Sequence, residues 1–303
     1  MSHLAPSIAE VYRDARSAGA VFDLSDWTVM RLRGPDTRPF LQGLATADLE
    51  SGTAARVTFF LSEKGRAVAL AWARVSDDGQ SAWVVADDGA RAGLRPHLER
   101  FRVMEDVELE GPDGMPRVLG AVGDRGRAWA SEASRSIAHA VLLDTQPLSL
   151  LLVPGDASPA DAPACLAPAA FEAWRIAAGL PRTGVDFDLE RIATEVDYPD
   201  AISMTKGCFV GQEVVARTSN RGQVRRRRVG FRFPWSGGPI PPKAEIRAEG
   251  KTVGYVTSAI LEPGTDDGLG MGYLATGVES PVLDAVAPQG DRSWRLRILP
   301  WPL

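Results

Sequence analysis

The sequence predicts an α+β protein with an all-β C-terminal part. Three observations carry this. Strand-like and helix-like segments alternate over the first 180 residues or so. After about residue 228 only short strands punctuated by Gly and Pro turns remain. The 303-residue chain is 45% hydrophobic and 24% charged, an ordinary composition for a chain that buries a core.

Trp27–Leu32 alternates as a strand does, and Gly34-Pro35-Asp36 follows as a helix start, with Phe40, Leu41 and Leu44 on one helical face. Val57–Leu61 and Ala67–Val75 form a hairpin around Glu63-Lys64-Gly65-Arg66. The turn Asp77-Asp78-Gly79 leads to a strand over Ala82–Ala86. A helix is expected from about Asp88 to Arg102, striped by Leu94, Leu98 and Phe101, with a kink or later start at Pro96. Val118–Val122, Ala140–Leu143 and Leu148–Val153 read as strands, and Ala157–Pro168 as an Ala/Pro-rich linker. Phe171, Trp174 and Ala178 stripe the helix that follows, and Gly179 fits its C-terminal cap. Beyond residue 228, Val229–Phe233, Ala244–Ala248, Val253–Ile260, Val282–Ala287 and Trp294–Leu299 read as strands of a small barrel or sandwich.

Several function classes are excluded. The longest strongly apolar run, Leu148–Val153, is far short of the roughly 20 residues of a membrane-spanning helix. Glu10, Arg13, Asp14 and Arg16 stand where a secretory signal needs an apolar stretch. Cys165 and Cys208 cannot make a disulfide framework, which points to a reducing, cytoplasmic setting. His3, His97 and His139 are scattered, so no zinc site is expected. Gly250-Lys251-Thr252 ends like a phosphate loop, but Glu245 stands where the loop's first glycine belongs. Gly268, Gly270 and Gly272 lack the strand–turn–helix context of a dinucleotide site and read as hairpin or bulge positions. Eight cations between Lys206 and Arg232 face only Glu213, in a chain of net charge −5. They serve either a local anionic ligand or the protein's own carboxylates.

The chemically dense stretch is Lys206-Gly207-Cys208-Phe209-Val210-Gly211-Gln212-Glu213, continuing to Arg217. If a helix begins at Gln212, Gly211 lies at its start and Glu213 and Arg217 form an i, i+4 pair. Cys208 is then either a reactive thiol or a small buried hydrophobe.

This octapeptide resembles the K-G-C-[FY]-x-G-Q-E signature of YgfZ-type folate-binding proteins, relatives of the aminomethyltransferase (T-protein) of the glycine cleavage system. The likeness runs in order through the chain: Leu41 to Asp48, the Lys64-Gly65-Arg66 hairpin, Arg175-Ile176 with Gly179-Leu180-Pro181, the acid Glu195, Arg221-Gly222, and Gly254 to Ser258. Phe209 replaces the commoner Tyr.

The resemblance implies T-protein-like mixed α/β modules over residues 1–228 and a β-barrel over 229–303. This resemblance counts two modules and leaves their interleaving open. It implies that tetrahydrofolate or a derivative binds as a small-molecule partner. It also implies service to iron–sulfur cluster assembly or repair through transient client or assembly proteins, with indirect effects on tRNA modification. Cys208 would be the functional thiol. Gln42, Asp48, Glu195, Lys206, Gly207, Gly211, Gln212, Glu213 and Arg217 would form the folate side, with Lys206 and Arg217 near its anionic tail and Glu195 or Gln42 facing pterin N–H groups. No resident metal and no direct nucleic-acid partner are expected. The alternative is a folate-dependent aminomethyl or one-carbon transferase. That chemistry needs a positioned carboxylate, and Ala90 to His97, where the transferases carry it, holds none. Asp87 and Asp88 stand close by.

Overall fold

The computed structural model describes residues 7–301 except 51, 112–113, 156, 158–164, 167, 222–223 and 291. His3, Gly222 and most of the Ala157–Pro168 stretch lie outside the described residues.

The chain order is α1 (Ile8–Ser17), β1 (Ala20–Asp23), β2 (Thr28–Arg33), α2 (Thr37–Leu44), β3 (Arg56–Leu61), β4 (Ala67–Val75), β5 (Ser81–Ala86), α3 (Arg91–Phe101), β6 (Glu108–Glu110), β7 (Arg117–Val122), α4 (Gly123–Ser136), β8 (Val141–Leu143), β9 (Leu148–Val153), β10 (Cys165–Leu166), α5 (Pro168–Ala178), α6 (Ala193–Val196) and α7 (Gln212–Arg221). The strands β11 (Arg226–Pro234), β12 (Glu245–Ala248), β13 (Lys251–Leu261), β14 (Asp267–Ala275), β15 (Val282–Val286) and β16 (Ser293–Leu299) complete it.

The strands before α7 form two five-stranded sheets, ordered β10-β1-β7-β9-β8 and β3-β4-β5-β2-β6. They interleave: β1 belongs to the first sheet, β2 to β6 build the second, and β7 to β10 return to the first. A core of Phe22, Trp27, Phe59, Trp72, Leu150 and Trp174 lies between the sheets and α5 and extends to Met271 on the barrel. A second core, under α2 and α3, packs Leu41, Phe60 and Leu98 against the other face of the second sheet.

The C-terminal part is a closed barrel in the order β11-β14-β13-β12-β15-β16, which decides between barrel and sandwich. Closure leaves no free strand edge. Here one sequence reading is corrected. Gly268, Gly270 and Gly272 are interior positions of β14, paired with Phe233, Phe231 and Val229. A Cβ on Gly268 or Gly270 would meet the facing Phe ring at 2.2 Å. Gly268 and Gly270 let the Phe rings lie flat across the strand, whereas Gly272 is closed in by the Tyr255 carbonyl, at 2.4 Å from its Cβ position, and lies opposite the bulge of β13 between Val256 and Ser258. Gly250 (φ +78°), by contrast, is the tight β12–β13 turn.

The helix expected from Asp88 begins as a 3-10 turn over Asp88–Ala90, capped by the Asp87 side chain, and continues as α3 through Pro96. Helices α1 and α4 lie outside the sequence reading. The first announces itself by a capping box, Ser7 with Glu10. The second buries only small residues, Gly126, Ala130 and Ala133, so it carries no large apolar stripe.

Candidate functional site

Two sites emerge, a cavity and an exposed signature loop. The cavity, of about 580 Å³, opens where β1, β4, α5 and the barrel strand β13 meet. Trp27, Trp72 and Phe171 wall it. Trp27 lies 5.2 Å from Trp72 and 6.1 Å from Phe171, centroid to centroid. The Trp72 indole donates to Thr145 Oγ1 (2.9 Å) and Leu148 O (3.0 Å), which fixes its plane.

Acids and bases line the same space. Asp87 Oδ2 accepts from the Thr183 backbone N–H (2.8 Å) and Oδ1 from that of Ala90 (3.1 Å). Burial and the neighbouring Asp88 still push its carboxyl up to about 6. Arg182 forks onto Asp88, with Nη2 at 2.7 and 2.8 Å from the two oxygens. Arg175, fully buried, pairs with Glu172 and, at 2.7 Å, with Asp186. Asp186 also accepts from Thr257 (2.6 Å) and Ser258 (2.7 Å) on β13, so the Arg175-Ile176…Gly179 segment seals the modules to the barrel. The Arg175 guanidinium, with the two hydroxyls, holds the Asp186 carboxyl below the usual carboxylate range despite burial.

Sequence reasoning noted Asp87 only as an acid close to the transferases' carboxylate position, and singled out none of Trp27, Trp72, Phe171, Glu172 and Arg182 as site residues. They come from four distant segments, and the signal that could have led to them is the Arg175–Pro181 match, which borders the cavity. None of Gln42, Asp48, Glu195, Lys206, Gly207, Gly211, Gln212, Glu213 and Arg217 is among the lining residues.

Most of these residues gather instead at the signature loop, on the end of α2. Lys206 Nζ donates to the carbonyls of Gln42 (2.7 Å), Ala45 (2.6 Å) and Ala47 (3.0 Å). It thereby satisfies a carbonyl of the last turn of α2 and two of the turn that follows it. Burial pulls its ammonium down to about 8, against the upward pull of Asp48 and Glu50. Gln42 reaches Asp48 (3.0 Å) and accepts from Leu49 N (2.8 Å), closing the turn after α2. Val210 N bonds Gly43 O (3.0 Å). Gly211 (φ +83°) packs so tightly on the Lys64-Gly65 hairpin that a Cβ would meet Ser62 O at 2.7 Å.

Helix α7 begins at Gln212 as the sequence predicts, and Glu213 and Arg217 pair at 2.5 Å on its exposed face. Phe209 and Val215 are buried beneath the loop, while Gly207 and Cys208 are exposed above it. Glu195 lies apart, buried beside Arg191 (3.3 Å), which stacks over Tyr255 and Tyr273 of the barrel. Of the basic segment, Arg228 is buried and donates to the carbonyls of Val196, Gly179 and Asp197, and Arg232 pairs with Glu262. Much of the segment's charge thus serves internal contacts.

Two interleaved α/β modules, a closed barrel and a cavity at their junction define a T-protein-type fold. Residues 226–298 match the family described as the glycine cleavage T-protein C-terminal barrel domain. The structure is similar to the crystal structure of the glycine cleavage system aminomethyltransferase T from Bartonella henselae, with a TM-score of 0.77 and 18% identity over 98% of this chain and 89% of that one. The chain is 31% identical over 276 residues to human "Iron-sulfur cluster assembly factor IBA57, mitochondrial", covering 79% of this chain and 74% of that protein. It is 27% identical over 245 residues to the "tRNA-modifying protein YgfZ" of Aliivibrio fischeri, covering 75% of each. The chain belongs to the IBA57 and YgfZ family of the T-protein superfamily.

Proposed function

We propose that this protein is a cytoplasmic, tetrahydrofolate-binding accessory factor for iron–sulfur cluster assembly or repair, acting on tRNA modification only indirectly. Membership of the IBA57 and YgfZ family supports the iron–sulfur role. The observation that carries the folate is the cavity itself. Its volume of about 580 Å³ is in the range of small-molecule sites. Trp27, Trp72 and Phe171 offer flat faces for a pterin, and Glu172, partly exposed in the lining, offers a carboxylate acceptor for its N–H groups. The residues present therefore fit the group, which when bound supplies a reduced pterin able to carry a one-carbon unit.

Cys208 is the functional thiol in this reading. It stands exposed on a loop held by Lys206 and Gly211, at the surface where a client docks. Clusters take several protein ligands, and no group of three metal-ligating side chains exists among the described residues. Any cluster is therefore cargo shared with the client. Gln42, Asp48, Lys206, Gly207, Gly211, Gln212 and Glu213 shape this loop.

The transferase alternative has less support. Asp87 does line the cavity, but both its oxygens already accept backbone N–H bonds, Oδ1 from Ala90 as a helix cap and Oδ2 from Thr183, and Ala90–His97 holds no acid.

The test is anaerobic calorimetry with tetrahydrofolate, paired with complementation by Cys208→Ala. One-to-one binding weakened by Phe171→Ala, with loss of iron–sulfur enzyme activity in Cys208→Ala cells, is expected. Absence of saturable binding, or full complementation by Cys208→Ala, overturns the corresponding half of the reading. Turnover with an aminomethyl donor would replace it by the transferase.

A further inference from the structure

A second cleft, of about 430 Å³, lies on the same face of the second sheet as the core between the sheets, where the row of residues that crosses β4, β5 and β2 meets the β8–β9 end of the first sheet. Its walls include Arg31, Trp83, His139, Leu152 and Pro154. The register puts Arg74, Trp83 and Arg31 directly opposite one another on adjacent strands, so the three side chains stand in one line on one face. The Arg31 guanidinium lies over the Trp83 ring, 5.0 Å from its centroid. Arg31 Nε is buried without a hydrogen-bond partner. Among the described residues no carboxylate pairs with Arg31, because Glu110, the next residue in the row, is taken by Arg33 at 3.0 Å. Arg74, on the other side of Trp83, donates to Leu142 O (2.9 Å) and is held in place.

A half-buried guanidinium that pairs with no carboxylate among the described residues is an unmet demand for a counter-charge. Arginine meets such a demand best with a carboxylate or phosphate, through its planar fork. The indole beside it adds a flat apolar wall, and Leu152 and Pro154 continue that wall. We propose that this cleft is a binding site for a small aromatic oxyanion, an aryl carboxylate or aryl phosphate, held by Arg31 through its charge and by Trp83 through its ring. The site is separate from the folate cavity, with which it shares no lining residue.

The test is calorimetric titration of the full chain with benzoate and, separately, phenyl phosphate, at constant ionic strength with chloride as the balancing anion. Saturable one-to-one binding of at least one probe is expected, and which one binds identifies the oxyanion. Acetate, which lacks the ring, should bind far more weakly. Arg31→Gln should weaken the productive probe by about ten- to a hundredfold, the worth of a charge-assisted hydrogen bond. Arg31→Lys keeps the charge without the fork and Nε, and should weaken it too while melting like the parent. Should Arg31→Gln fold poorly, Arg31→Lys decides alone. Undiminished affinity in a folded Arg31 variant places the probe elsewhere and overturns the proposal, as does the lack of saturable heat with both probes.

Discussion

His97 shows what one buried residue does to the stability profile. Its ring sits edge-on to Phe60 and Phe101, and its Nε2 has no partner. Burial lowers its pKa to about 4, with Arg100 adding to the effect. The folded state therefore binds a proton later than the unfolded chain does as pH falls. Stability from this residue is fully present above the ordinary histidine range near 6.5 and is lost as pH falls toward 4, by up to about 3 kcal/mol. Asp87 acts in the opposite sense over part of this window, so the comparison must be differential. His97→Phe should narrow its stability gap to the parent, or overtake it, between pH 6.5 and 4 in urea unfolding. A pH-independent difference would remove the account. Lys206→Met makes a second residue-scale case. It strands three carbonyls in the last turn of α2 and just after it, and should cost about 2–3 kcal/mol in the same measurement.

At the scale of elements, the signature loop is held by two glycines set against each other. Gly65 and Gly211 both have positive φ, and a Cβ on either would strike the other's segment, at 2.7 Å in each case. Gly211→Ala should cost about 2 kcal/mol or more from backbone strain and clash together, read as a lower denaturant midpoint. Gly207 has open space around it and no positive φ, so Gly207→Ala should stay within about 0.5 kcal/mol of the parent. Equal costs at both positions would mean that the loop's shape is not set by this contact. The octapeptide, the hairpin and the start of α7 were legible in the sequence because each is a local signal of spacing and turn chemistry. What Lys206 touches was not. Its partners lie some 160 positions earlier in the chain, and a charged side chain whose hydrogens all go to carbonyls leaves no trace in a charge count. Gly268 and Gly270 of β14 misled for a related reason, since their cause is the ring on the facing strand.

At the scale of the molecule, the question is what makes two modules and a barrel one body around a cavity. The resemblance and the change of texture near residue 228 made the barrel legible. The resemblance also allowed the two modules to interleave, but the pairing that does it was not legible, because β1 and β10 pair across more than 140 residues with nothing local to mark it. The cavity inherits that difficulty, being built from segments that meet only in the finished fold. Its seal is the buried cluster of Arg175, Asp186, Thr257 and Ser258, with Arg228 bonding Gly179 O from the barrel side. An ion pair so deeply buried does little for net stability when intact, but removing one partner leaves a bare charge in a low-dielectric interior. Arg175→Met should therefore cost about 3–5 kcal/mol. It should also uncouple the parts, so that unfolding followed in the barrel no longer coincides with unfolding followed in the modules. Adding Asp186→Leu removes the stranded charge and should restore part of the loss. Were Arg175→Met to cost under about 1 kcal/mol with coincident transitions, the junction would owe its cohesion to apolar contacts such as Met271 and Leu269 on the barrel face alone.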